Sequence, residues 1–142
     1  MSRIKLEQPD SYSFSVLIPI RITDINYGGH AGNDSIVSLI HEARLQFLEH
    51  HGFKELALGG VGLIMSDLVV EFKAELFYGD KVKISVTAND FSRIGFDLLY
   101  KFEKETSDKK IIAVMAKTSM ICYDYGTKKV AGLPEDVKQK LA

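Results

Sequence analysis

The stretch Arg21-Ile-Thr-Asp-Ile-Asn-Tyr-Gly-Gly-His-Ala-Gly-Asn-Asp34 decides how this chain is read. It crowds Asp24, Asn26, His30, Asn33 and Asp34 around three glycines and opens onto the one long helical pattern, roughly Asp34 to His51. There Ile36, Ile40, Ala43 and Phe47 recur at i, i+4, i+7 and i+11, flanked by Val37 and Leu39. Asn33 or Asp34 can cap the start, and Gly52 can close the end in a left-handed conformation. Ser38, His41, Glu42, Leu45 and Glu49 fall on the opposite side of the helix. Polar side chains and free backbone amides at the positive end of a helix suit a polarised or negative substrate atom.

Upstream, Tyr12, Phe14, Val16, Ile18, Ile20 and Ile22 alternate as a strand with one buried face, and Pro19 puts that strand at an edge or bulge. Downstream, Leu63 to Leu76 reads as a long strand. Ile64, Leu68, Val70 and Phe72 share one face; Met65, Asp67, Val69 and Glu71 share the other. Gly79-Asp80, Asn89-Asp90 and Ser107-Asp108 mark turns, and Gly95 marks a bulge or close approach. Between them, Val82 to Ala88 and Phe96 to Phe102 alternate. Ile111 to Tyr123 is apolar on both faces and therefore central, and Leu133-Pro134-Glu135-Asp136 opens a short terminal helix. The order strand, long helix, four consecutive strands predicts an α+β domain over residues 1–142, its antiparallel sheet of five to six strands wrapping one face around the helix. Val114, Ala116, Met120 and Cys122 on one side of the last long strand, with Met115, Ile121 and Tyr123 on the other, predict a partner copy on the second face.

The 142 residues suit one domain, 46% hydrophobic and 26% charged. A net charge of −1 with no basic run gives no footprint for nucleic acid, though it leaves room for a local basic patch for a phosphorylated cofactor. One cysteine excludes an internal disulfide, the first ten residues lack a signal-peptide core, and no apolar run spans a bilayer. These features point to a cytoplasmic protein with no membrane contact.

Asp24-Ile-Asn26-Tyr-Gly-Gly29-His30-Ala-Gly-Asn33, Glu42-Ala43-Arg44 and the Gly79-Asp80 turn resemble the acyl-CoA thioesterases near 4-hydroxybenzoyl-CoA thioesterase, which have the hotdog fold. The likeness runs from about Tyr12 to Tyr125. It implies hydrolysis of acyl-CoA thioesters to free acid and CoA, in a homodimer or homotetramer whose site lies between two subunits. Coenzyme A enters as part of the substrate, with acyl carrier protein as the other carrier, and no separate cofactor is implied. The family's catalytic aspartate falls on Asn26, whose amide has no charge to act as base or nucleophile.

Four residues therefore carry the site hypothesis. Asn26 orients a water or the thioester, or is a turn asparagine. His30 is the general base, with an ordinary pKa of about 6.5, or it bonds the loop backbone. Asp24 is base or orienter, or a carboxylate satisfied by loop amides. Asn33 supplies the backbone N–H for the oxyanion. With no carboxylate at the family's position, direct attack by water is expected rather than an acyl-enzyme. A thioester-binding protein without catalysis is the alternative, and a dehydratase would need a His–Asp/Glu pair. Glu42 reads as solvated, Asp67 as lying on the outer sheet face, His50-His51 as complementing the helix dipole and Cys122 as a buried thiol. No metal site is expected.

Overall fold

The computed structural model describes residues 1–142. Strand β1 (Phe14–Pro19) leads through a 3-10 turn at Ile22–Asp24 and the glycine-rich loop into α1 (Asn33–His50). Strands β2 (Gly62–Phe72), β3 (Lys81–Asn89), β4 (Gly95–Glu105) and β5 (Lys110–Asp124) follow, then a two-residue β6 (Lys129–Val130) and helix α2 (Glu135–Leu141). The sheet runs β1-β3-β4-β5-β2, with β6 against β5 and every pair antiparallel.

Only β3, β4 and β5 form the expected meander. β2 pairs with β5 and not with β3, so β1 and β2 are opposite edges. The cause is the segment between β2 and β3, too long for a tight hairpin. It crosses beneath the start of α1, where the Ala31 N–H donates to the Leu76 carbonyl (2.8 Å) and the Gly79 N–H to the Ile20 carbonyl (3.0 Å). Pro19 sits at the end of edge strand β1, opposite Lys81.

Alternation within β2 is interrupted. The register skips between Met65 and Asp67, a bulge at Ser66 that reverses parity. Leu63 and Met65 therefore share the inner face with Leu68, Val70 and Phe72. Ile64 joins Asp67, Val69 and Glu71 outside. The inner faces of β3 to β5 follow the alternation, with Val82, Ile84, Val86, Phe96, Leu98, Tyr100, Phe102, Ala116, Met120 and Cys122 buried. Gly95 is the close approach expected: a Cβ there would lie 2.0 Å from the Met120 carbonyl oxygen.

α1 presents Ile36, Leu39, Ile40, Ala43, Phe47 and Leu48 to this core, and Val37 and Leu45 stay partly exposed. Neither Asn33 nor Asp34 caps it; the N-cap is Gly32, with no side-chain bond. The C-terminus closes as a Schellman turn, with Gly52 at φ +85°, Gly52 N–H donating to Glu49 (2.9 Å) and Phe53 N–H to Leu48 (2.8 Å). His50 and His51 do more than face the dipole. Their rings pack on Phe14 and Phe47, and His51 Nε2 is buried without a partner. Burial and then His50 lower the His51 pKa. α2 starts with Pro134 at the N-cap and adds Val137 and Leu141 to the core. No helix is long and apolar enough to cross a membrane.

Candidate active site at the start of α1

The loop before α1 folds on its own backbone. The Asn26 N–H donates to the His30 carbonyl (2.9 Å), the Gly29 N–H to Asn26 (3.1 Å) and the Gly32 N–H to Asp24 (3.0 Å). Asp24 is 4% exposed, and its carboxylate accepts from the Arg21 N–H (2.8 Å), Nη2 (3.2 Å) and Nε (3.3 Å). It braces the loop and does not line the cavity beside it.

That cavity, about 450 Å³, lies between the loop and the segment following β2. Asn26, His30 and Asn33 line one side, Phe72, Lys73 and Glu75 the other, and Ile36 and Val114 supply apolar wall. Three of the four residues singled out in the sequence thus meet at one place. Ile40, Phe47 and Leu63, side chains of the size that could set its depth, are in the closed core instead.

His30 has a defined orientation. Its Nδ1 lies 3.2 Å from the Ala31 carbonyl oxygen. A carbonyl only accepts, so Nδ1 carries the proton and neutral His30 presents a bare Nε2. The Glu75 carboxylate lies 3.9 Å from Nε2, beyond direct hydrogen bonding and within reach of one bridging water. Glu75 could not be picked out in the sequence, where it reads as one more residue of the long β2 pattern. It reaches His30 because β2 stops at Phe72 and the chain then turns under the loop.

Asn26 spends Oδ1 on the Gly28 N–H (2.9 Å), a turn-asparagine bond that leaves its Nδ2 without a protein acceptor. The amides of Asn33, Asp34 and Ser35 likewise find no acceptor; the first helical bond runs from the Ile36 N–H to Gly32 (3.0 Å). Gly32 keeps this corner open, since a Cβ there would fall 2.6 Å from Asp34 Oδ1 and 3.4 Å from Asn26 Cβ.

The other residues considered lie elsewhere. Glu42 is exposed and accepts from Gln46 Nε2 (2.8 Å). Asp67 bonds Lys117 Nζ (2.9 Å), which chiefly lowers its pKa, and the Ser119 N–H. Burial pushes the Cys122 thiol up to about 11, which makes it a poor nucleophile.

A six-stranded sheet around one long helix, with Asn33, a histidine and a carboxylate lining one cavity at that helix's start, defines a hotdog protein with a candidate acyl-transfer site. The model of the thioesterase-like superfamily matches residues 20–141, and the chain belongs to that family. No curated protein matches it in sequence. Among solved structures, a mutant 4-hydroxybenzoyl CoA thioesterase complexed with 4-hydroxybenzoyl CoA is similar at TM-score 0.84 and 14% identity, covering 93% of this chain and 100% of the other. A 1,4-dihydroxy-2-naphthoyl-CoA thioesterase from Synechocystis is similar at TM-score 0.79 and 19% identity, covering 90% and 94%. A gentisyl-coenzyme A thioesterase is similar at TM-score 0.78 and 20% identity, covering 91% and 100%. At these identities the likeness is one of fold.

Proposed function

We propose that the protein hydrolyses acyl-CoA thioesters by direct attack of water. The observation that carries this is His30, whose Nε2 is left free by the Nδ1 bond and faces a cavity beside unsatisfied helix amides. His30 Nε2 takes a proton from a water lying towards Glu75. The water oxygen attacks the thioester carbon, and the carbonyl electron pair moves onto oxygen, where the Asn33 N–H receives it. When the pair returns, the C–S bond breaks and the thiolate takes the proton back from imidazolium. Glu75 holds that imidazolium, Asn26 offers Nδ2 to the substrate, and Asp24 keeps the loop in shape through Arg21. The site is completed between two copies of the chain. β2 is a free edge with Met65 and Phe72 half exposed, and α1 exposes Val37 and Leu45, as expected of an unpaired interface.

Steady-state release of thiol from short, medium, long and aromatic acyl-CoAs tests this reading. Turnover on the order of 1–1,000 per second, lost in His30→Ala, is the expected result. A wild type without turnover that gains it in Asn26→Asp would instead favour the binding-protein reading, which the turn-asparagine role of Asn26 supports. Hydration of an enoyl-CoA would turn the His30–Glu75 pair to dehydratase chemistry.

A further inference from the structure

Residues 1–13 join no strand, yet they are tied to the sheet. Arg3 Nη2 donates to the Phe72 carbonyl (3.2 Å), the Leu6 N–H to Glu71 Oε1 (3.2 Å) and Ser13 Oγ to the Val86 carbonyl (3.5 Å). The first two bonds anchor the segment at the end of β2, where Arg3, Lys5 and Lys73 surround a shallow cavity of about 340 Å³ together with Glu71 and Phe72. The one carboxylate there is already engaged: Oε1 by Leu6, Oε2 by Lys73 Nζ at 3.4 Å. Three cations against one anion leave a local charge of about +2 on a chain whose total is −1. Arg3 keeps most of its five donors free after its single bond to Phe72.

This cavity adjoins the candidate active site, with Phe72 and Lys73 lining both. A substrate with its thioester at His30 and its tail passing over Phe72, which is 47% exposed, arrives at the three cations. We infer that Arg3, Lys5 and Lys73 form a subsite for the phosphates of coenzyme A, contributed largely by the segment before β1. The inference rests on the thioesterase reading for its substrate. It adds where on this chain the diphosphate and 3′-phosphate of CoA bind, at the far end of the pantetheine arm. Phosphates suit this patch because guanidinium and ammonium groups bind them through charge-assisted hydrogen bonds.

The test compares wild type with Arg3→Glu/Lys5→Glu and, separately, Lys73→Ala, each checked for an unchanged melting temperature. Calorimetry with adenosine 3′,5′-bisphosphate should show Kd weakened roughly tenfold or more in the double variant, with a shallower salt dependence. The ratio of kcat/KM for an acyl-CoA to that for the same acyl group on N-acetylcysteamine should fall by a similar factor, through KM. Equal Kd values in wild type and variant, or an unchanged ratio, would overturn the subsite even if hydrolysis is fast. Bisphosphate binding lost in the variant, with no thioester turned over by any protein, would support the subsite while refuting the enzyme reading. Loss of turnover on acyl carrier protein but not on CoA would overturn the assignment in favour of a docked acidic protein.

Discussion

The two halves of α1 carry polar groups of similar number and opposite condition. Towards its C-terminal half, Arg44 is 6% exposed and its Nε donates to Glu55 Oε1 (3.1 Å), which also meets His41 Nε2 (3.0 Å). Arg44 Nη1 reaches Tyr100 Oη (3.4 Å), and Tyr100 shares a 2.8 Å hydrogen bond with Thr118, both wholly buried. Burial works against the Arg44 charge, yet Tyr100 and Glu55 outweigh it and raise the pKa; burial likewise raises that of Tyr100. At the N-terminal half and in the loop leading into it, His30 Nε2, Asn26 Nδ2 and the Asn33 amide lack protein hydrogen-bond partners beside a cavity. A polar group matched within the protein holds the fold, and one left with spare capacity at a cavity can serve a substrate. The Arg44 cluster is thus read as structural: it ties the loop after α1 to the middle of the sheet.

Breaking each half should separate stability from activity. The largest effect expected is in His30→Ala, a loss of about 10²–10⁴ in kcat for removal of a general base, with the urea midpoint little changed. Glu75→Gln should lower kcat less, because the imidazolium formed during the step then lacks the carboxylate 3.9 Å away. Arg44→Met should do the reverse. Unfolding in urea should show a loss of roughly 3 kcal/mol, the low end for breaking a buried pair because Glu55 keeps some exposure, while the folded fraction retains its kcat. Gly32→Ala tests the boundary between the halves. The new Cβ displaces Asp34 or Asn26, and a shift of that kind should cost about tenfold or more in kcat with a smaller change in stability.

The smallest effect expected is a pH dependence at the far end of α1. The His51 pKa is lowered in the fold, so between that value and the unfolded one near 6.5 the unfolded chain binds more protons. Its contribution is full above the unfolded pKa and is lost as pH falls below it. Thermal melts should therefore drop between pH 7 and pH 5, and His51→Gln should flatten part of that slope.

Local sequence determined a good deal of this molecule. The period of Ile36, Ile40, Ala43 and Phe47 forces a helix with a buried stripe, and alternation along β3, β4 and β5 forces strands with one apolar face. Gly52 and Gly95 stand where backbone geometry excludes other residues, and Asn26, His30 and Asn33 are near one another by chain proximity alone. Tertiary structure decided the rest, because it depends on contacts between residues far apart in the chain. A bulge at Ser66 reverses the faces of β2, and no alternation count can see an inserted residue. β2 goes to the far edge beside β5 because its exit segment bonds back to Ala31 and Ile20. That same exit brings Glu75 to His30, 45 positions apart in sequence. Arg44 finds Tyr100 and Thr118 only when helix and sheet close on each other, and burial then fixes that cluster as structure while the open cavity leaves His30 free for chemistry.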